Sequence, residues 1–339
     1  MSCKRTAQGH LSFSSTLLLT TLVTSSVPLE AQQHFSVISE NDIYAPRGQD
    51  RHYSNGIRIG YGLQQKDDSW YSWLGQFTSL NTEPKAHQYE IAFGQNIYTP
   101  EYFIATAPIL HDRPFAGWLY SELSVNTHNP GTSESVSINL GMVGPVALAE
   151  QGQKLIHDII GDPEPAGWDN QLRNEPALLI RYRRSWFLPV IEFSSIQAEF
   201  IPGLGVNLGN VFTDAGIGAA VRIGHYLPEQ DLPARMQPGL SGGISNFSIR
   251  KNQFDWMLYA EIQGRAVAHN IFLDGNTFTD SQFVDKRTIV RDLATGIAFG
   301  FGRFNVPVIF SFSIVWRGRE FDLQKREDSF GSAMIAVQY

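Results

Sequence analysis

The chain has almost no cysteine: Cys3 is the only one among 339 residues. That excludes an intrachain disulfide framework, and thiolate catalysis or thiolate metal sites further along the chain. Long apolar runs are missing as well. After Val23 nothing approaches the ~20 consecutive apolar residues that a membrane-spanning helix needs. Nor is there a basic run: 26 Lys and Arg stand against 33 Asp and Glu, a formal net charge of −7. Such a chain is a poor partner for the phosphate backbone of nucleic acid. Its acidity suits a metal cation, or a surface bridged by divalent cations. No low-complexity linker divides it, and no repeat beyond the strand pattern.

What is present begins at the N-terminus. Lys4 and Arg5 precede an apolar stretch from Leu11 through Leu17, Leu18, Leu19 and Leu22 to Val23, and Pro28, Leu29, Glu30 and Ala31 form a small-residue exit. This is the grammar of a secretory signal, too short and too rich in Ser and Thr to cross a bilayer. Residues 1–31 are therefore expected to be a cleaved signal peptide, and 32–339 a single domain. Cys3 would leave with the signal.

Alternation dominates the rest. Ile57, Ile59, Tyr61 and Leu63 hold one parity, and Gly56, Arg58, Gly60 and Gly62 the other. Val136, Ile138, Leu140 and Met142 alternate with Ser135, Ser137, Asn139 and Gly141. The chain ends with Ala333, Ile335, Val337 and Tyr339 opposite Ser332, Met334, Ala336 and Gln338. Successive side chains of a strand point to opposite faces, so each run reads as a two-faced strand. An apolar face opposite one of glycine, serine and arginine is the inside-out pattern of a membrane barrel. Twelve such runs occur, near 34–42, 53–63, 87–97, 116–127, 134–143, 175–185, 191–203, 213–224, 254–268, 288–302, 305–317 and 331–339. They predict an all-β fold: a 12-stranded antiparallel transmembrane β-barrel with one short extracellular loop helix. A soluble β-sandwich explains the alternation equally well, but neither the terminal aromatic strand nor the small-residue interior. If the first strand rises from the periplasm, Asn129-Pro130-Gly131 and Gly302-Arg303-Phe304-Asn305 become short periplasmic turns. The inward connections 64–86 and 225–253 are long, and the pattern does not account for them.

The outward connection 144–174 carries the helix, with Pro145 at its start and Gly161 just past Ile160. Leu148, Leu155, Ile156, Ile159 and Ile160 give it an apolar face for barrel or lipid. His157 lies near its end beside Asp158, with Asp162 beyond. Two further clusters map to the same rim. Glu40-Asn41-Asp42 and Asp50-Arg51-His52-Tyr53-Ser54-Asn55-Gly56 flank the first outward loop; Gln95-Asn96-Ile97-Tyr98-Thr99-Pro100 and Asp112-Arg113-Pro114-Phe115-Ala116-Gly117-Trp118 flank the second. Loops at a rim are where a rigid scaffold presents functional groups. On residue types alone, a single His on an amphipathic helix and the carboxylates of Asp42 and Asp162 have structural explanations too.

These residues, with Gly144-Pro145, Gly167-Trp168 and Gln171-Leu172-x-Asn174-Glu175-Pro176, resemble the outer-membrane lipid A 3′-O-deacylase family, most specifically from Asn41 to Pro176. The resemblance implies a twelve-stranded barrel whose active site lies between the outer wall and a loop helix. It implies a calcium-dependent ester hydrolase that removes the 3′-linked acyloxyacyl group of lipid A. His157 would be the base that activates water, Asp42 and Asp162 would bind Ca2+, and Asn41 and Ser54 would orient groups in the site. Two positions depart from the family pattern: an aspartate, Asp162, stands where glutamate is expected, and no lysine lies between Tyr98 and Trp118, where Arg113 is the nearest basic candidate. The partners implied are lipopolysaccharide as substrate, outer-membrane lipids, and the barrel-assembly machinery through the last strand. Two other functions stay open at this point. One is an outer-membrane phospholipase with Ser54 as nucleophile beside His157; the other is a non-enzymatic structural or pore barrel. The Asn-Asp pair favours metal-assisted attack by water over the first, and a narrow lumen filled by Arg, Glu and Tyr side chains argues against a pore.

Overall fold

A computed structural model describes residues 33–46, 51–64, 66, 68–78, 86–225, 227, 231–239, 253–303 and 306–339. The expected signal peptide lies outside these residues, as does the 304–305 part of the last periplasmic turn. The alternating runs form strands β1 (His34–Asn41), β2 (His52–Leu63), β3 (Ala86–Thr99), β4 (Ala116–Asn129), β5 (Thr132–Val143) and β6 (Glu175–Trp186). After the short β7 (Ile191–Phe193) come β8 (Ile196–Gly209), β9 (Phe212–Gly224), β10 (Phe254–Asn270), β11 (Ile289–Arg303), β12 (Val306–Arg317) and β13 (Asp328–Gln338). Each pairs antiparallel with its neighbours, β13 with β1 and β6 with β8, so the sheet closes on itself. Twelve strands make the barrel, and β7 only extends the hairpin at the foot of β8. Closure leaves no exposed sheet edge, the condition for a sheet to sit in lipid.

One strand differs from expectation. The run at 191–203 is broken by a turn at Ser194, whose φ is 59°, and the barrel strand begins at Ile196 and continues to Gly209. Periodicity could not see the break, because apolar residues stand on both sides of it.

The two faces divide as the alternation demands. Ile57, Ile59, Phe93, Leu140, Ile217 and Ile262 are exposed on the outside, where lipid replaces water. Inward, Arg58 bonds Glu90 and reaches Glu122 at 2.6 Å, and Glu122 accepts from Asn139 at 2.5 Å. Arg235–Glu261 (2.8 Å) and Arg317–Asp292 (2.9 Å) repeat the arrangement further round. A charge buried this deeply is tolerated only when paired, and each of these arginines meets a carboxylate.

The connection between β9 and β10 enters the lumen. Residues 231–239 run through it without regular secondary structure. Met236 donates its N–H to Glu40 (2.8 Å), Gln237 donates to the Tyr98 hydroxyl (2.9 Å), and the Gly239 carbonyl accepts from Arg183 (2.7 Å). Leu227, Ala234 and Met236 pack with the inward-pointing Ile38, Met257, Ala298, Ile309, Met334 and Ala336. Residues 231–239 of the long inward connection are a plug.

The other long inward connection takes the opposite course. A 3-10 helix at Ser72–Phe77 folds back against the outer wall near its periplasmic end. Tyr71 and Leu74 pack there on Tyr89, Val125 and Val136.

Candidate active site

The rim of β1–β3 is built by a bulge. Asn41 pairs with Asn55, and Tyr53 with Tyr98, but the β2–β3 register shifts between Tyr53 and Asn55 and leaves Ser54 as the extra residue. A bulge re-aims a side chain where pairing would otherwise fix it. Tyr53 stays in the lumen, donating to Glu40 at 2.9 Å. Ser54 instead meets the Thr99 hydroxyl at 2.5 Å, and both are buried. Counting outward from exposed Phe93 by twos gives Gln95, Ile97 and Thr99, so the hydroxyl pair belongs to the outer wall. Asn41 shares that outward parity with Phe35, Val37 and Ser39. Its side chain caps the next turn by accepting from the Ile43 N–H (2.8 Å), and the buried Asp42 accepts from the Arg51 N–H (2.7 Å).

A helix covers the adjoining wall. Residues 145–147 form a 3-10 turn, Leu148 takes a left-handed conformation with φ 57°, and α1 (Ala149–Ile160) follows. The expected single helix is thus broken at Leu148, and the kink turns the chain from the rim onto β3 and β4. Ala149, Gln153 and His157, four residues apart, face the wall and are buried, whereas Leu155, Ile159 and Ile160 face out and are exposed. Ala149 packs with Ile97, Phe115 and Trp168; Gln153 accepts from the Trp168 indole N–H (3.0 Å); Gln95 donates to the Ala147 carbonyl (2.6 Å). Of the two options the sequence left open, the leucine and isoleucine face is turned away from the barrel.

His157 is held from two sides. Its Nδ1 donates to the Pro163 carbonyl at 2.6 Å, and Phe103 packs edge-on against the ring, with centroids 5.3 Å apart. A carbonyl only accepts, so in the neutral ring the lone pair lies on Nε2. Asp162 follows the Gly161 cap on the exposed side, with its N–H on the His157 carbonyl (3.1 Å).

Between His157 and Asp42 runs the second outward loop. Arg51 reaches Glu101 (3.2 Å) and Asp328 (3.3 Å), and the Phe103 carbonyl accepts from the Ala166 N–H (3.0 Å). His52 sits between Asp328 (2.7 Å) and Asp112 (3.2 Å), and Asp112 accepts from the backbone N–H groups of Glu101 and Arg113, both at 2.7 Å. Burial alone would raise the Asp112 carboxyl; the His52 ring and those two N–H groups outweigh it and hold it below its ordinary value. Arg113 is buried, donating to Glu320 at 2.7 Å.

Oxygen donors stand along this stretch of the rim: the Asp42 carboxylate, the Asn41 amide and the Ser54 and Thr99 hydroxyls. That chemistry fits a hard cation, which accepts carboxylate, neutral oxygen and water in loose geometry. Among the described residues no group of three His, Cys, Asp or Glu is arranged to hold a metal ion. Thr99 and Trp168 stood in the quoted motifs without a role, and Gln153 was not singled out. A strand extended two residues past Ile97 would have put Thr99 on the outer face.

A family model described as "Outer membrane protein LpxR" matches residues 12–339. Among solved structures, LpxR from Salmonella typhimurium is 23% identical, with a TM-score of 0.73, covering 90% of this chain and all of that one. The β domain of the Bordetella autotransporter BrkA is 8% identical with a TM-score of 0.42, covering 91% of this chain and 98% of that one. No curated protein matches.

Proposed function

Because the chain belongs to the LpxR family of outer-membrane proteins, we propose that it is a lipid A 3′-O-deacylase, in which His157 activates water at a calcium-assisted site between the outer wall and α1. The observation that carries this reading is the placement of His157: a buried imidazole on the wall-facing side of α1, over the same outer face that buries Asn41 and Ser54. A substrate embedded in the outer leaflet reaches such a site sideways, without entering the lumen.

The roles follow from the contacts. Pro163 fixes the His157 tautomer, so Nε2 is the atom that takes a proton from water. Phe103 against the ring limits its rotation and keeps bulk water from that side. Asp42 would hold calcium, with Asp162 as the second carboxylate, one methylene shorter than glutamate. When bound, the ion supplies positive charge to the oxyanion that forms as water adds to the ester carbonyl. Asn41 and Ser54, each in a short hydrogen bond to a neighbour, orient the polar groups around that carbonyl. The plug at 231–239 argues against a diffusion pore. The last strand, with Tyr339 just past it, is the segment proposed to be recognised by the barrel-assembly machinery.

The test is hydrolysis of purified lipid A by the refolded protein in detergent. Mass spectrometry should find the free acyloxyacyl acid; chelation should stop its release, and calcium should restore it better than magnesium, which demands a tighter octahedron. Full turnover in chelator, or an acyl-enzyme trapped on Ser54, would replace this reading with the phospholipase-like one.

A further inference from the structure

The strap between β2 and β3 buries one side and leaves the other bare. Tyr71 and Leu74 lie on the outer wall over Tyr89, Val125 and Val136. Hydrogen bonds fix it there: the Tyr89 hydroxyl donates to the Ser72 carbonyl (3.2 Å), and Thr78 meets Thr127 at 2.6 Å. A side chain in place of the hydrogen at Gly75 would collide with the Tyr89 hydroxyl, 2.6 Å away, so the strap lies flush. On its far side Trp70, Trp73 and Phe77 are 68%, 43% and 59% exposed. Water is a poor medium for three large aromatic side chains held together on one rigid turn.

We propose that Trp70, Trp73 and Phe77 form an interfacial anchor that inserts into the periplasmic leaflet of the membrane around the barrel. The strap packs on the outward face, whose next residues up the wall, Tyr61 and Phe93, are themselves exposed to lipid. It therefore continues the apolar belt rather than standing apart from it. Its place is the periplasmic end, beside the tight turn joining β4 to β5. Aromatic residues, tryptophan above all, concentrate at that depth, where an apolar ring and a polar N–H are both accommodated. The charged residues just before the turn, Lys66 and Asp68, are exposed on the approach to it, as the water-side edge of an interfacial segment requires. The strap thus grips protein with one side and lipid with the other, and fixes how deep the barrel sits.

Spin labelling tests this in the full-length chain reconstituted in phosphatidylcholine vesicles. Cys3→Ser removes the one native thiol, and nitroxides are then attached singly at Trp70→Cys, Trp73→Cys and Phe77→Cys, with Asp68→Cys as the aqueous control. Collision with oxygen should exceed collision with a water-soluble nickel complex at 70, 73 and 77, and the order should reverse at 68. Nickel-dominated collision at 73 and 77 would show that the face looks into water and overturn the proposal. Low collision with both reagents, together with spin–spin broadening, would show a second copy covering it and overturn the proposal equally. A matching variant, Trp73→Ser with Phe77→Ser, should refold in detergent like the parent yet lose thermal stability selectively in vesicles. An equal loss in both media would assign the strap to packing alone.

Discussion

The Nδ1 proton of His157 is taken up by the Pro163 carbonyl, so substitution of the ring tests Nε2 in particular. His157→Asn should lower turnover of lipid A by about 10²–10⁴, the usual worth of a general base. The heat-modifiable folded band on gels should not change, because the residue lies on a loop helix. Ser54→Ala should cost less if water is the nucleophile. Wild-type turnover by His157→Ala would leave the helix a packing element only. Asp112 gives a second test, one of pH. Its carboxyl is held below the ordinary value of about 3.9, so the stability it lends the second outward loop is complete above that value and lost as pH falls through the lower one. Hydrogen exchange of the Glu101 and Arg113 amides, corrected for intrinsic rate, should stay slow from neutral pH down through the ordinary carboxylate value and quicken only at pH below it. Protection that is flat across that window would show that the carboxylate does not hold the loop. Asn41, Asp42, Ser54 and His157 were legible as polar residues at predicted strand and helix ends. Thr99 was named with its loop, but its face was not legible because it lay past an assigned strand end; Gln153 was missed, since it looks like an ordinary solvated position until its indole partner is known.

Among elements, α1 depends most on a glycine outside itself. A Cβ on Gly117 of β4 would stand 2.3 Å from the Ala149 Cβ, so the helix lies directly on the backbone of the wall. Gly117→Val should push α1 outward at a cost of about 1–3 kcal/mol of overpacking, and turnover should fall while barrel yield is kept. The readout is turnover against folded fraction; a variant that turns over normally would mean that His157 does not need the helix seated. Helix, strands and most boundaries could be read from period and punctuation. The kink at Leu148 and the turn at Ser194 could not, because each puts a non-glycine residue at positive φ, which sequence preference disfavours and tertiary packing imposes here. The plug and the strap were opaque for a related reason: neither has a period, and each is defined by the wall it packs on.

The whole molecule is a closed wall with residues 231–239 inside it, and the proposed chemistry lies on the outside. Closure by β13 against β1, the Arg–Glu lattice and the 231–239 segment leave the outer face near α1 as the place where a lipid could react. The small-residue interior and the apolar exterior were visible in the alternation, while the proposal of the outer wall as a reaction surface rests on the bulge and α1. The direct measurement is mass spectrometry of lipid A from cells that express this chain, set against cells expressing His157→Asn at equal barrel abundance. The account predicts loss of the mass of the 3′ acyloxyacyl group in the first and an unmodified lipid A in the second. Identical lipid A from the two, with both barrels folded in the outer membrane, would contradict it.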